Sequence, residues 1–462
     1  MITSLDYAAV LNKALSSGGE YADLFIERSA PFSIVCEDGK IEKVLSGTDQ
    51  GAGVRLIIGM RTAYAYTNEL TNDALLEVAD AVRQAATSGQ PVHAAINLSR
   101  RRPHVDFGIK KAPESTPVSD KVAMVLRADS AARAVDNRIR QAMVVYREHR
   151  QQVLIAHSGG GLTEDERMFL TAMAQVVASD GERFQTGYEA VGGFAGLELF
   201  DAQPLEQAAQ TAARRAVMML TARKAPAGRM AVVLSSEAGG TMIHEAIGHG
   251  LEADLAQSGL SVYSGRLGQR IASPLVTVVD DATLDGKRGS FRFDDEGTDA
   301  ERSVLVDGGV LKSFMYDRLT AMKDNTVSTG NGRRESYKSR PIPRMTNTLI
   351  VPGTSDPAGI LRSTDRGLFV KKMGGGQVNT VNGDFVFEVS EGYLIENGMV
   401  GEPVRGATLT GNGPDVLVSI DAVGSDLGFS IGTCGKDGQG APVSDAQPTL
   451  RIPAIVVGGE VA

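Results

Sequence analysis

The order of helical and strand-like segments repeats within the first half of the sequence, and this repetition constrains the fold more than any other feature. A helix is predicted near residues 4–16 and another near 70–87, and helix, strands and helix return between residues 118 and 222. Helices beside meandering strands are typical of an α+β fold. The strands are predicted at residues 21–28, 31–37, 41–47, 51–58, 61–66, 138–147, 150–157, 167–178 and 183–194. The turns Glu37-Asp38-Gly39-Lys40 and Ile58-Gly59-Met60 between them are suited to hairpins.

Composition and turn residues divide the chain further. Its 462 residues, of which 42% are apolar, are sufficient for two or three cores. A polar stretch from Pro91 to Pro117 indicates a linker, and Pro226-Ala227-Gly228 marks a later boundary. We therefore expect an N-terminal α+β domain (1–90), a linker (91–117), a middle α+β segment (118–225) and a glycine-rich, β-rich, barrel- or sandwich-like C-terminal domain (226–462).

Residues 244–249 read His-Glu-Ala-Ile-Gly-His, which are side chains suited to a metal-dependent hydrolase. Two imidazoles can bind zinc, and the glutamate can transfer a proton. His244 and His249 are five positions apart, which on a regular helix would place them about 140° apart around the axis. A π-type turn in the predicted helix near 237–254 would bring them back to one side, and Gly248 weakens the regular helix there.

The surroundings of Glu245 favour a metal site over the alternative of ordinary hydrogen-bonded histidines. Its neighbours are small or apolar, and a buried carboxylate without a partner is costly, whereas a metal-bound water would supply that partner. Moreover, the motif holds the only histidine cluster in the sequence. The other histidines are scattered without ligand spacing: His93, His104, His149 and His157.

The two cysteines lie in different sequence contexts. With only Cys36 and Cys434, and no charged-then-apolar signal segment at the start, we expect a reducing, cytoplasmic location without disulfides. Cys36 resembles an ordinary strand residue, whereas Cys434 lies in a Gly-Thr-Cys-Gly-Lys turn whose lysine should lower the thiol pKa. Cys434 is therefore a candidate third ligand, although a free cysteine alone is more often a small buried hydrophobic residue. Glu252 or Asp254 could orient a histidine or replace the cysteine.

A second candidate feature is the run Gly374-Gly375-Gly376. It lacks the strand-loop-helix setting and the Lys-Ser/Thr of a phosphate-binding loop, so a nucleotide site is excluded. Two alternatives remain: a hairpin or bulge, and a strand edge to which a peptide substrate adds as a further strand. The second alternative predicts broad side-chain tolerance and a preference for unfolded peptides.

The net charge of −9 argues against a nucleic-acid partner, and no apolar run is long enough to span a membrane. Two long polar loops, at 256–270 and 323–344, are too polar for a core and are typical of lids, partner surfaces or disorder. The second loop could bind a substrate carboxylate or a neighbouring subunit, but solvent exposure is the simpler expectation for its larger side chains: Arg333, Arg334, Tyr337, Lys338 and Arg340.

Several motifs together resemble those of the TldD/PmbA family of metallopeptidases. The segment 244–252 is similar to the family's His-Glu-x-x-x-His signature, and the resemblance is dense from about residue 229 onward. Because the chain keeps both histidines, Glu245 and Cys434, it resembles the TldD type and not the PmbA type, which lacks the metal motif. Further blocks resemble the family's C-terminal blocks in family order: 374–380, 392–396, 403–408, 411–414 and 432–436.

The resemblance implies a zinc peptidase in which His244, His249 and Cys434 hold Zn²⁺ and Glu245 activates a zinc-bound water. It also implies a dimer around a peptide chamber, formed with a second copy or with a PmbA-type subunit. A non-catalytic peptide- or protein-binding modulator of DNA gyrase or of a toxin-antitoxin system, with a structural metal, is the alternative. The residues expected to bind an extended peptide are Gly374, Gly375, Gly376, Gln377, Val378 and Asn379.

Overall fold

The computed structural model describes residues 5–84 and 96–459. The predicted helix end at Ser88-Gly89, the predicted start of the linker at Pro91, and His93 lie outside these ranges. The strands of the first half are β1 (Tyr21–Glu37), β2 (Lys40–Ser46), β3 (Asp49–Ile58), β4 (Arg61–Thr67), β5 (Ser99–Arg100), β6 (Ile139–His157), β7 (Gly161–Ser179) and β8 (Phe184–Phe194). They form one sheet in the order β4-β3-β1-β6-β7-β5, with β2 paired to β1 and β8 paired to β7.

Three strands are substantially longer than predicted, and one of them, β7, begins at Gly161 and not at residue 167. β1 and β6 each run unbroken where two short strands were expected. β1 pairs with β3 up to Ser29 and with β2 from Phe32 onward, while β6 accompanies it on the other side. Pro31, which has no N–H to donate, therefore lies where β1 changes partners, and the strand continues through it.

The predicted hairpin turns are confirmed. Asp38 and Gly39, between β1 and β2, have φ values of 54° and 75°. Gly59 and Met60, between β3 and β4, have φ values of 56° and 60°. These left-handed values are those that a two-residue hairpin of this type requires at both central positions.

Helices cover one face of this sheet. Alternate residues of a strand point to opposite faces, and Leu24 and Ile34 of β1 pack with the helices, whereas Phe25 packs with Tyr337 from the C-terminal half. Cys36 is buried in the helix-covered core, as expected for an ordinary strand residue. The helices are α1 (Tyr7–Leu15), α2 (Asn72–Gln84), α3 (Val118–Arg133), α4 (Leu199–Ala202) and α5 (Leu205–Thr221), with a 3-10 turn at Pro113–Ser115.

The C-terminal half is rich in strands. They are β9 (Arg223–Lys224), β10 (Gly228–Leu234), β11 (Val278–Asp281), β12 (Arg302–Asp307), β13 (Val310–Leu311), β14 (Gly332–Arg333), β15 (Ile342–Pro343), β16 (Asn347–Ile350), β17 (Arg366–Val378), β18 (Asp384–Glu396), β19 (Met399–Arg405), β20 (Thr408–Asn412), β21 (Ala422–Val423), β22 (Gly428–Lys436), β23 (Gln439–Gln447) and β24 (Leu450–Gly458). Five of them, β17-β10-β24-β20-β18, close into a barrel because β17 also pairs with β18. The predicted α+β fold with a barrel-like C-terminal half is confirmed.

A second sheet lies beside the barrel, in the order β13-β12-β11-β16-β23-β22. One apolar core contains residues of both, such as Leu368 of the barrel and Val306 of the second sheet. Ile243 and Ile247, which flank the histidine motif, belong to the same core. The helices of this half are α6 (Thr241–Ile243), α7 (Ala253–Gln257), α8 (Arg318–Lys323), α9 (Pro357–Arg362) and α10 (Gly413–Ser419).

The polar loop at 323–344 is exposed at its start, residues 323–327, but the expectation of exposure was wrong for three of its larger residues. Arg333, Arg334 and Tyr337 are buried, whereas Lys338 and Arg340 are exposed as expected. Arg334 and Tyr337 find polar partners on the first sheet, where the Tyr337 amide donates to Glu27 Oε2 (2.7 Å), and Arg333 donates to the Met345 carbonyl (2.6 Å). Polar side chains can be buried when such partners compensate the loss of water.

Across the described ranges, no helix is both long and apolar enough to cross a membrane.

Candidate metal centre

The segment that carries the two histidines is not a regular helix. After α6, residues His244–Gly248 form a π-helical turn, and His249–Leu251 continue as a 3-10 turn. The imidazole rings of His244 and His249 consequently face one another, with centroids 5.0 Å apart and planes at 90°. The π turn predicted from the five-residue spacing is therefore confirmed.

Gly248 has a packing role as well as a conformational one. A Cβ at this position would lie 2.2 Å from Met345 Sδ, so a side chain here would have to displace either the Met345 side chain or the turn. The turn therefore packs tightly against Met345, and this close approach helps to hold the two histidines in place.

Cys434 reaches the histidines from the second sheet, on strand β22. Its sulfur lies 3.4 Å from His249 Nε2, and the ligand atoms of His244, His249 and Cys434 all lie within 4.8 Å of one another. Zinc bonds of about 2.0–2.3 Å place the ligand atoms of a tetrahedral ion roughly 3.3–3.8 Å apart, so small side-chain movements would close this set around an ion. Two imidazoles and a thiolate are also a donor set that zinc accepts.

The protonation of Cys434 supports its candidacy as a ligand. Burial opposes ionisation of the thiol, but hydrogen bonds from His244 and His249 outweigh it and lower the pKa of Cys434 to about 5. The expectation that Lys436 lowers this pKa was wrong, because the Lys436 ammonium is directed at Asp254 (2.7 Å) and Glu252 (3.2 Å). Asp254 is bound in this way to a lysine and does not join the three ligand atoms.

Each imidazole is backed by a buried carboxylate. Glu252 Oε2 lies 3.0 Å from His249 Nδ1, and Asp445 Oδ1 lies 3.6 Å from His244 Nδ1. Burial would raise the pKa of Glu252, but the neighbouring Lys436 and His249 lower it to about 2. Carboxylates in such positions hold the tautomer and orientation of metal-binding imidazoles.

Sequence reasoning missed Asp445. It lies on β23 opposite Ser430 of β22, whose hydroxyl donates to Asp445 Oδ2 (2.7 Å). The only local signal is a charged residue inside the buried strand segment 443–447. A buried charge in a strand requires a polar partner, but which residue supplies that partner depends on contacts between segments distant in sequence.

Glu245 is oriented towards a large cavity beside the three ligand atoms. Burial raises the pKa of its carboxyl group, an effect that the neighbouring histidines partly offset. Among the described residues, none forms a hydrogen bond or an ion pair with the Glu245 side chain. Its carboxylate is therefore free to exchange a proton with a molecule in the cavity.

The cavity has a volume of about 1100 Å³ and runs between the two halves of the chain. Its walls are formed by β8 from the first sheet, by β22 and by the glycine-rich end of β17. Gly374, Gly375, Gly376, Gln377 and Val378 line it, and so do His244, Glu245, His249 and Cys434. Asn379 is not among the lining residues, because its side chain accepts a hydrogen bond from the Val381 amide in the turn after β17.

The glycine-rich end of β17 has an open edge. β10 pairs with β17 only as far as Val370, and in the described part of the chain no strand replaces it along residues 371–378. On the opposite edge β18 pairs with β17, and the register of this pairing shifts between Val370 and Gly376. The bulge expected as one alternative is therefore present. A Cβ at Gly376 would lie 1.9 Å from Phe387, whereas Gly375 has no atom within 4 Å of that position.

Comparison with known proteins places the whole chain in one family. Residues 22–86, 111–220 and 227–459 match domain 1, the central domain and the C-terminal domain of the PmbA/TldA metallopeptidases. A curated relative, the metalloprotease TldD homologue of Haemophilus influenzae, is 37% identical over 451 residues, which cover 95% of this chain and 93% of the relative.

Two solved structures share the fold at low sequence identity. A candidate modulator of DNA gyrase from Thermotoga maritima superposes with a TM-score of 0.79 at 21% identity, covering 95% of this chain and 96% of that one. TldE from Thermococcus kodakarensis superposes with a TM-score of 0.75 at 18% identity, covering 97% and 99%. With the three domain matches and the curated relative, the chain belongs to the TldD/PmbA family of metallopeptidases.

Proposed function

We propose that the chain is a zinc-dependent peptidase that hydrolyses extended or unfolded peptides. One observation carries this proposal: two imidazoles and a low-pKa thiolate converge within 4.8 Å beside Glu245, at the wall of a cavity large enough for a peptide. A cavity of about 1100 Å³ lies at the upper end of the size expected for a ligand site.

His244, His249 and Cys434 would hold the ion, as a set of three protein ligands. When bound, zinc supplies a Lewis acid that lowers the pKa of a coordinated water to about 7 and leaves the fourth position open to substrate. Glu252 and Asp445 face the Nδ1 atoms of the two imidazoles from behind, so that the opposite nitrogens would be available to the ion once they lose their protons.

Glu245 performs the proton transfers. Its carboxylate accepts the proton of the attacking water and delivers it to the amine nitrogen of the leaving peptide. Burial raises the pKa of the Glu245 carboxyl group, which favours the protonated form that the second transfer requires. Both steps need a carboxylate without another partner, as the geometry provides.

The peptide is bound as an added strand along the open edge of β17, at Gly374–Val378. Main-chain hydrogen bonds would provide the affinity, so that side-chain identity matters little and an extended chain is required. Gly375 supports this mode, because the absence of atoms around its Cβ position leaves room for a second backbone.

The active form is proposed to be a dimer, formed with a second copy or with a PmbA-type subunit. The TldE structure supports the second possibility, since a similarly folded protein exists that could complete the chamber. The two free cysteines support a reducing compartment, and we propose the cytoplasm.

Metal content and peptide cleavage, measured together, test the mechanism. Glu245→Gln should retain zinc and lose cleavage by at least about a hundredfold, the usual contribution of a general base. Glu402→Gln, a change at an exposed carboxylate paired with exposed Arg223, is the matched control and should behave as the wild type. Each protein is assayed on an unfolded peptide with and without a PmbA-type subunit. Unchanged cleavage by Glu245→Gln would exclude it as the base.

The alternative function is a non-catalytic modulator with a structural metal. The Thermotoga fold relative, described as a candidate modulator of DNA gyrase, is the observation behind it. A structural zinc site closes all four positions with protein ligands, whereas three ligand atoms meet here among the described residues. A modulator would also keep its activity in the Glu245→Gln protein, so the same variant separates the two functions.

A further inference from the structure

We propose that Lys287, at one end of the cavity, binds a carboxylate of the peptide substrate and so selects peptides with a negative charge at a set distance from the cleaved bond. The carboxylate is either an acidic side chain or the free C-terminus. This inference rests on the proposed peptidase function and adds a charge preference to binding that is otherwise mediated by the main chain.

Lys287 lines the cavity as a cation without a carboxylate partner. Its ammonium lies 3.8 Å from the centre of the Phe429 ring, and both residues line the same cavity wall. Within residues 5–84 and 96–459, no carboxylate oxygen lies within 4.0 Å of this ammonium. A half-buried ammonium loses part of its hydration, and its contact with an aromatic face contributes only about 0.5–2 kcal/mol of stabilisation. A carboxylate that enters the cavity would form an ion pair with this ammonium.

The other lysines of the cavity are already paired. Lys372 Nζ lies 2.9 Å from Glu189 Oε1. Lys436 Nζ lies 2.7 Å from Asp254 Oδ1 and 3.2 Å from Glu252 Oε2. Their charges are therefore neutralised within the protein, and Lys287 is the lysine available to a ligand.

The neighbouring residue fixes Lys287 in position and adds positive charge. Arg288 donates from Nε to the Gly432 carbonyl (3.2 Å) and from Nη2 to Thr433 Oγ1 (3.3 Å), while its amide donates to Ser444 Oγ (3.0 Å). These contacts hold the loop against β22 and β23, and none of them is to a carboxylate. Two adjacent cations, neither with a counter-charge among the described residues, give this end of the cavity a positive potential, which attracts anionic ligands.

The distance between Lys287 and the metal centre determines where in the peptide the bound carboxylate should lie. Phe429 and Cys434 lie on the same strand, five residues apart. At about 3.3 Å per residue, the backbones of Phe429, which Lys287 contacts, and Cys434 are roughly 16 Å apart along β22. An extended peptide rises by the same amount per residue, so we expect the bound carboxylate about five residues from the cleaved bond.

The test compares peptides that differ in one charge. One unstructured peptide with an established cleavage bond is prepared with a free C-terminal carboxylate and as the C-terminal amide, about five residues beyond that bond. A second pair, amidated in both members, carries Glu or Gln at the same place. The ratio of kcat/KM for the charged to the neutral peptide is measured for the wild type, Lys287→Met and Lys287→Arg. Lys323→Met, a change at an exposed lysine of α8, is the matched control.

The wild type should prefer the charged member of at least one pair by about tenfold, the usual effect of a charge-assisted hydrogen bond. Lys287→Met should reduce that ratio to about one by slowing the charged peptide alone, while Lys287→Arg and Lys323→Met should keep it. The pair that shows the preference identifies the carboxylate as terminal or side-chain. A ratio near one in the wild type, or one that survives Lys287→Met, would overturn the proposal.

Binding measurements separate this inference from the proposed function. The same labelled peptides are titrated into the wild type and Lys287→Met, with affinity read by fluorescence anisotropy. If no peptide is cleaved, the peptidase proposal fails, but tighter binding of the charged peptide that disappears in Lys287→Met would still support a carboxylate site. Equal binding of charged and neutral peptides by the wild type would refute that site whether or not cleavage occurs.

Discussion

Both the metal centre and the interface between the two halves of the chain contain buried charges, but the partners of these charges differ between the two regions. At the interface, Arg55 of β3 lies 2.5 Å from Asp23 and 2.6 Å from Glu296, and Arg334 contacts Asp23 as well. These four residues, the interface charge cluster, are almost wholly buried and are paired with one another. At the metal centre the ligand atoms of His244, His249 and Cys434 converge within 4.8 Å of one another, and Glu245 has no partner among the described residues.

The difference indicates which buried charges hold the structure together and which await a ligand. A paired charge cluster joins two surfaces and needs nothing from outside, whereas two imidazoles and a thiolate that converge on one point are suited to bind a metal ion. We therefore expect changes at the interface cluster to affect stability and changes at the metal centre to affect metal binding and cleavage.

The largest effect is expected from Cys434→Ser. A structural zinc site is worth about 10–16 kcal/mol in total, so the loss of one of three ligands should weaken zinc binding by about a thousandfold or more, and cleavage with it. Zinc affinity is measured by competition with a chelator. Cys36→Ser, at the other free cysteine, should leave affinity unchanged. Wild-type zinc affinity in Cys434→Ser would remove the cysteine from the ligand set.

The second effect concerns the interface charge cluster. Arg55→Met leaves Asp23 and Glu296 without their shared cation and should lower the free energy of unfolding by about 3–5 kcal/mol. Urea unfolding measures this loss, while zinc content and kcat/KM of the folded protein should remain at wild-type values. Arg127→Met removes an exposed pair with Glu206 and should cost less than about 1 kcal/mol. A loss of zinc in Arg55→Met would show that the two regions are not independent.

A smaller effect separates the two carboxylates behind the histidines. Glu252→Gln should lower zinc affinity by about ten- to a hundredfold, because Glu252 lies in hydrogen-bonding reach of His249 at 3.0 Å. Asp445→Asn should have the weaker effect, since 3.6 Å separates Asp445 from His244. The chelator competition used for Cys434→Ser gives both values. The reverse order would mean that the His244 side of the site is the more tightly held one.

The smallest effect is a dependence of stability on pH at the interface. Burial, followed by repulsion from Glu296, raises the pKa of Asp294 to about 8 and that of Asp317 to about 7. Because both folded pKa values lie above the unfolded value of 3.8, the stabilisation is complete below about pH 4, declines progressively above it, and is fully lost once the pH has risen through the folded values of about 7 and 8. The free energy of unfolding should fall by about 1 kcal/mol between pH 7 and 8.

Glu296→Gln provides the control for this pH dependence. It removes the neighbouring carboxylate that raises both pKa values, so the decline between pH 6 and 8 should become shallower even though the variant is less stable at every pH. Urea unfolding at pH 5, 6, 7 and 8 yields both slopes, and contributions from all other groups cancel in their difference. Equal slopes would show that Glu296 does not control the titration of Asp294 and Asp317.

Local patterns predicted much of the fold. The two-residue turn at Asp38-Gly39 was recognised because Asp and Gly are residue types that readily adopt the positive φ values such a turn requires. The π turn was predicted from the spacing of His244 and His249. The same local reasoning failed between residues 28 and 31, where it predicted two separate strands and the structure has the continuous strand β1. Whether two such segments join depends on partner strands that are remote in sequence, since β6 pairs with β1 from Asp23 to Glu37.

Long-range contacts explain the residues that sequence reasoning misplaced. Arg334 was expected in solvent, but its partner Asp23 is 311 positions away and supplies the charge that permits burial. Asp445 was not recognised because its relation to His244 exists only through the packing of β23 beside the π turn. Composition and periodicity describe what a segment can do and carry no information about which distant segment will meet it.

By itself, the sequence determined the chemical groups of the site and the local shape of the turn that presents two of them. These depend on residues within about one helical turn of each other, whose geometry is set by backbone hydrogen bonds. Only the tertiary structure decided that Cys434 meets His249 across 185 positions, that an open strand edge faces them, and that Glu245 remains unpaired. Sheet pairing and core packing set those distances, because burying apolar surface in one common core leaves a single register in which all the strands fit.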